Sequence, residues 1–220
     1  MKNEQYDYYL TEEIANAITH AIGGYLGAAA VVLLVMFTIQ SGTQVPWKIV
    51  SGSIFGAAII ILYSASTIYH AVTNYQIKEI CRACDQMAIY VLIAGTYTPF
   101  CLVTLRQSHP VIAWTVFGSV WGLAIAGIIF KLFTKRQFKY ITTITYLAMG
   151  WISVLILKPL YHFLEFGGIF WLVLGGACYS LGVLFFLWRK LPFNHTIWHF
   201  FVLAGTICHF FCILFYVIMA

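Results

Sequence analysis

Long stretches of this chain carry almost no charge, and short polar interruptions divide them into apolar segments at about 14–40, 47–71, 80–104, 110–132, 140–159, 167–188 and 194–219. Each has about the 20 residues that a helix needs to cross the hydrocarbon core of a bilayer. The pattern predicts an all-α integral membrane bundle of seven transmembrane helices. These segments use nearly the whole length, so residues 1–220 read as a single domain. The punctuation agrees. Pro46 and Pro110 fall at the starts of the second and fourth segments, where a missing backbone N–H costs little. Asn194 is a candidate N-cap for the seventh, and Pro99 should bend the third.

Composition strengthens this reading. Of 220 residues, 62% are hydrophobic and 9% charged, against about 25% charged in soluble domains. Glu4, Asp7, Glu12 and Glu13 precede the first apolar run. A cleaved signal peptide has a basic start instead. The net charge of +5 does not indicate nucleic acid, because the basic residues sit between apolar segments, where they orient a membrane protein. Lys2, Lys78, Arg82, Lys131, Lys135, Arg136, Lys139, Arg189 and Lys190 collect on the amino-terminal side, nine in all; Lys48, Arg106 and Lys158 collect opposite. Nine against three predicts a cytoplasmic amino terminus and an outside carboxyl terminus. Gly23–Gly27, Gly52–Gly56 and Gly118–Gly122 are small-residue pairs that let membrane helices approach closely. The six cysteines lie mostly in apolar segments and read as buried hydrophobes, not as a disulfide framework. No internal repeat is visible, which weakens a transporter reading, and no motif for a protein partner or an oligomeric state stands out.

Ionisable groups at membrane depth are costly, and so are functional candidates. His109 and His162 fall in outer loops. His209 lies ten residues beyond His199, ~15 Å along a helix, and reads as a histidine bonded to a neighbouring helix. His20, His70, His195, His199 and Asp85, by contrast, share one membrane depth at the cytoplasmic side. His195 and His199 lie one turn apart on one face. With His70 they offer three nitrogens, and three protein ligands plus an open position describe a catalytic zinc site. Asp85 can orient or deprotonate water there. Ser66, one turn deeper than His70, can hold Asp85 or contact a substrate carbonyl, or simply bond back to its own helix. No Met or Cys falls at ligand spacing in this set, which favours Zn2+ over copper. Two axial haem ligands must face each other from opposite sides, which neighbours on one helix cannot do. Cys81-x-x-Cys84 is a lone pair and a weak signal.

Glu13-x2-Asn16-x3-His20, Ser66-x3-His70, Asp85 and His195-x3-His199 resemble the motifs of the PAQR family. That family includes the adiponectin and progestin receptors and the bacterial hemolysin III proteins. AIYVLIAGTYTPF from Ala88 to Phe100, and YLAMGW at 146–151, are similar to the bacterial hemolysin III branch. Gln86 departs from it, since bacterial relatives often carry histidine there. The resemblance implies zinc held by His70, His195 and His199, with Asp85 reaching the metal through water and Ser66 near the substrate. Glu13, Asn16 and His20 would brace helix 1 against the site. It further implies a multi-pass protein of the bacterial plasma membrane, concerned with membrane-fluidity homeostasis and related to ceramide-hydrolysing enzymes.

Three functions compete. The residues suit metal-dependent hydrolysis of a lipid amide or ester near the head-group level. A non-catalytic lipid sensor with structural zinc would use the same residues. A pore-forming cytolysin, suggested by the family name, ranks low because secreted pore-formers must first be soluble and no polar stripe is available to line a wide pore. Retinal binding is excluded, because the seventh segment has no lysine for a Schiff base.

Overall fold

The apolar runs fold as helices because a bilayer leaves the backbone no other partner than itself. The computed structural model describes the backbone of residues 2–134 and 139–220, and the side chains of 10–134 and 140–220. Lys135 and Arg136, and the side chains of Lys2 and Lys139, therefore lie outside the described residues of the charge count. All described elements are helical. They are α1 (Lys2–Ser41), α2 (Val45–Ala71), α3 (Tyr75–Leu105), α4 (Pro110–Phe133), α5 (Tyr140–Leu187) and α6 (Asn194–Ile218).

Six of these segments, not seven, are long and apolar enough to cross a membrane. The expectation of seven separate helices is corrected at residues 140–188. The loop expected between 159 and 167 is absent, and Tyr140–Leu187 runs on as one segment of 48 residues. It passes through a 3-10 stretch at Ile152–Ile156 and is broken at Glu165 (φ 52, ψ −178), a positive φ that non-glycine residues rarely adopt. Its two parts run in opposite directions. Tyr146 Oη donates to Gln86 O (2.6 Å) and Tyr97 Oη to Gly150 O (2.6 Å), so the first part ascends with α3. The second part descends along α6, with Gly168 against Cys212, Gly175 against Gly205, and Gly182 against Phe201.

Pro46 and Pro110 open α2 and α4 as expected. Pro99 changes the register of α3, which continues as a π-helical turn over Phe100–Leu105. Two of the three glycine pairs make close approaches. A Cβ at Gly23 would strike Tyr63, one at Gly27 Ile59, one at Gly52 Leu34 and one at Gly56 Val31, so both pairs lie in the α1–α2 seam. Gly118 and Gly122 face open space instead. Asn194 is not the cap of α6. Phe193 holds that place with φ 52, while Asn194 Nδ2 donates to Phe185 O (3.1 Å) and Phe186 O (3.3 Å), satisfying carbonyls at the end of α5. The outward faces of α1 and α4 expose large apolar side chains such as Ile18, Val32, Ile39, Val111 and Ile125, as a lipid-facing surface does. All six cysteines are free.

Candidate metal centre

The last turn of α2 and the first two turns of α6 meet at one end of the bundle. There one ring nitrogen from each of His70, His195 and His199 comes within 4.8 Å of the others. Ring centroids are 5.1 Å apart for His70–His195, 5.0 Å for His70–His199 and 4.6 Å for His195–His199. The three are thus close enough to hold one metal ion.

The surrounding bonds prepare two of these rings for that task. His70 Nδ1 lies 3.3 Å from Glu13 Oε2. A carboxylate only accepts, so Nδ1 carries the proton and Nε2 keeps its lone pair. Nε2 is buried and has no partner, the arrangement found where a carboxylate orients a metal-binding imidazole. Lys78 Nζ also donates to Glu13, so that acid joins α1 to both α2 and α3. His199 Nδ1 lies 3.3 Å from Asn16 O and 3.3 Å from Thr19 Oγ1. Thr19 spends its own hydrogen on Ala15 O and Asn16 O (both 2.9 Å). Nδ1 of His199 is therefore the donor, and Nε2 is left as the lone-pair nitrogen. Thr196 Oγ1 donates to Asn16 Oδ1 at 2.6 Å. The backbone N–H of His195 donates to the Glu12 carboxylate, where the start of α6 offers unpaired donors and favours negative charge.

The sequence-derived residues thus fall into distinct positions. Glu13 on α1 bonds His70 of α2, and Asn16 on α1 bonds Thr196 of α6. His20 does not brace the cluster by hydrogen bonds, since both its ring nitrogens are buried without partners. Instead it stacks on His199 (3.5 Å between centroids, 11°) and meets the edge of Tyr63 at 4.9 Å. Asp85 lies beside His70 and within reach of the Ser66 hydroxyl, and Ser66 Oγ is buried without a hydrogen bond of good geometry. Glu12, Thr19, Thr196 and Lys78 escaped the sequence reading. Thr196 adjoins His195 and Glu12 adjoins Glu13, but nothing local reveals their long-range partners. His109 and His162 are remote from the cluster, and His209 donates from Nε2 to Leu172 O (3.1 Å), as expected for a histidine bonded to a neighbouring helix.

A cavity of about 580 Å³ opens from the cluster, within the range of small-molecule sites. At one end it is lined by Ser66, Asp85, His195 and His199. From there it runs between α3, α5 and α6 past Leu92, Phe100 and Leu160 to His209.

The chain is 46% identical over 209 residues to a hemolysin-3 homolog of Bacillus subtilis (95% of this chain, 96% of that one). It is 45% identical over 210 residues to hemolysin-3 of Bacillus cereus (96% and 94%). It is also 30% identical over 217 residues to the human monocyte to macrophage differentiation factor (96% and 87%). The model of the haemolysin-III related family matches residues 8–210, and the chain belongs to that family.

Proposed function

We propose that this protein is a zinc-dependent membrane hydrolase that cleaves the amide or ester bond of a lipid and so serves membrane-fluidity homeostasis. The observation that carries the reading is the continuity of the three-histidine cluster, Asp85 and Ser66 with a long apolar cavity. His70, His195 and His199 would hold the ion. The open Nε2 of His70 and the Nδ1-protonated form of His199 suit such a role, and three imidazoles without a thiolate or thioether favour zinc. When bound, zinc supplies Lewis acidity and eases the ionisation of water. Asp85 accepts the proton of the attacking water and passes it to the leaving amine or alcohol. The Ser66 hydroxyl, beside Asp85, donates to the scissile carbonyl oxygen. The apolar walls hold the acyl chain and keep bulk water from it.

The histidine end is assigned to the cytoplasmic face of a bacterial plasma membrane, with the amino terminus on that side, from the distribution of basic residues. A periplasmic reporter fused after Ala220 should then be active and a cytoplasmic one silent. An active cytoplasmic reporter reverses the assignment.

A lipid sensor with structural zinc is the second reading. It is favoured by the way the cluster ties α2 to α6 while Asn16 ties α6 to α1. Asp85→Asn separates the two. A hydrolase should stay folded and zinc-loaded but lose about 10²–10⁴-fold in rate, with a smaller loss for Ser66→Ala. Complementation of a deletion strain, read with a membrane-fluidity dye beside zinc content and thermal stability, is the test. Full complementation by a stable, zinc-loaded Asp85→Asn protein leaves the sensor reading. The cytolytic activity in the relatives' names ranks third, for want of a polar lining in the apolar segments.

A further inference from the structure

The cavity has an uneven distribution of spare hydrogen-bonding capacity. Among the described residues that line it, those with a buried side-chain atom lacking a partner are His20, Ser66, Arg82, Gln86 and His209. The first four sit at the metal-centre end. His209 stands apart, ten residues further along α6, ~15 Å away. The hydroxyls at that depth have given their hydrogens to protein acceptors. Thr96 Oγ1 donates to Leu92 O (2.8 Å), Tyr97 Oη to Met149 O and Gly150 O, and Ser180 Oγ to Gly176 O (2.8 Å). Thr206 gives its hydrogen to Val202 O (3.0 Å) and so accepts from both Tyr63 and Tyr179 (2.8 Å each).

His209 is held in one tautomer and one orientation. Leu172 O can only accept, so Nε2 carries the proton and Nδ1 is an acceptor. The Cδ2–Nε2 edge of the ring presses on the bare Cα of Gly175. Nδ1, across the ring from Cδ2, is turned away from that contact. The residue lines the cavity and is 9% exposed; Nδ1 itself is buried without a partner, and such an acceptor is costly until a donor reaches it.

We propose that His209 Nδ1 is a hydroxyl-recognising subsite, and that the cavity prefers an acyl chain bearing a hydroxyl group near its middle over an unsubstituted chain. The proposal rests on the reading that the cavity takes a lipid with its polar end at the histidine cluster. A chain hydroxyl donating to Nδ1 satisfies both groups, whereas a plain chain leaves the nitrogen bare. Gly175 contributes by bringing α5 close enough to fix the ring.

Oleic and ricinoleic acids, which differ by one mid-chain hydroxyl, provide the test by equilibrium competition against labelled oleic acid on the purified, zinc-loaded protein. Ricinoleic acid should bind roughly three- to tenfold more tightly, the yield of one buried hydrogen bond. His209→Leu should keep oleic acid binding and make ricinoleic acid the weaker ligand, because its hydroxyl would then be buried without an acceptor. On the unmodified protein, a fatty acid hydroxylated beside its carboxyl group should show no comparable gain, an arm that does not depend on the variant folding. Equal binding of oleic and ricinoleic acids overturns the proposal while leaving the lipid cavity intact. Binding of neither overturns the lipid cavity and the subsite together.

Discussion

The two ends of α2 each bury a group able to carry positive charge, and they treat it differently. Lys48 in the first turn is 1% exposed. Its three N–H donors meet three acceptors, Ser41 Oγ (3.3 Å), Thr43 Oγ1 (3.0 Å) and Ile218 O (2.8 Å). His70 in the last turn, about 33 Å away along the helix, gives one nitrogen to Glu13 and leaves the other bare. The lysine is saturated, and it fastens the α1–α2 connection to the end of α6. The histidine keeps one valence in reserve, beside two more histidines that crowd the same point. An ionisable residue at membrane depth is a functional candidate by default; counting its spent and unspent bonds separates the fastener from the site.

The strongest test of this comparison is to empty the reserve. His70→Ala, His195→Ala and His199→Ala should each lose the metal, taking purified protein from about one zinc per chain to almost none by elemental analysis. His209→Ala and His162→Ala should keep it. If His209→Ala empties the site and His70→Ala does not, the assignment of α2 to the metal is wrong.

A smaller effect is expected where the reserve is only aimed. Glu13→Gln keeps shape but weakens the grip on His70 Nδ1, so zinc affinity should fall about 10–100-fold, measured by competition with a chelator. Unchanged affinity would show that the Glu13 contact serves Lys78 and not the imidazole.

The smallest effect on the centre is expected at the saturated end. Lys48→Met leaves Ile218 O and two hydroxyls without their donor. It should cost about 1–3 kcal/mol of stability, read as a lower unfolding temperature in detergent, with zinc content unchanged. A Lys48→Met protein that is as stable as the original, or that loses zinc, would erase the distinction between the two ends.

Much of the molecule follows from local pattern. Apolar runs bounded by Pro46 and Pro110 mark helices because the bilayer forces the backbone to bond within its own segment. His195 and His199 are legible as a pair, since four residues make one turn and put both on one face. His70 and Asp85 could be added from membrane depth alone. What local pattern could not supply is each contact made across the bundle. Glu13 meets His70 over 57 residues and Asn16 meets Thr196 over 180; no periodicity encodes such distances. The same limit explains the glycines. Gly23, Gly27, Gly52 and Gly56 abut a neighbouring helix, whereas Gly118 and Gly122, identical in spacing, have none beside them. It also explains the helix count, because the break at Glu165 is a backbone choice made when the two parts of α5 pack against α3 and α6, at a residue with no glycine-like freedom to announce it. Composition and periodicity determined that the chain enters a membrane as helices with histidines at one depth. Only packing decided which nitrogens are bonded and which are left open, because that depends on which atoms meet, and those atoms are far apart in the chain.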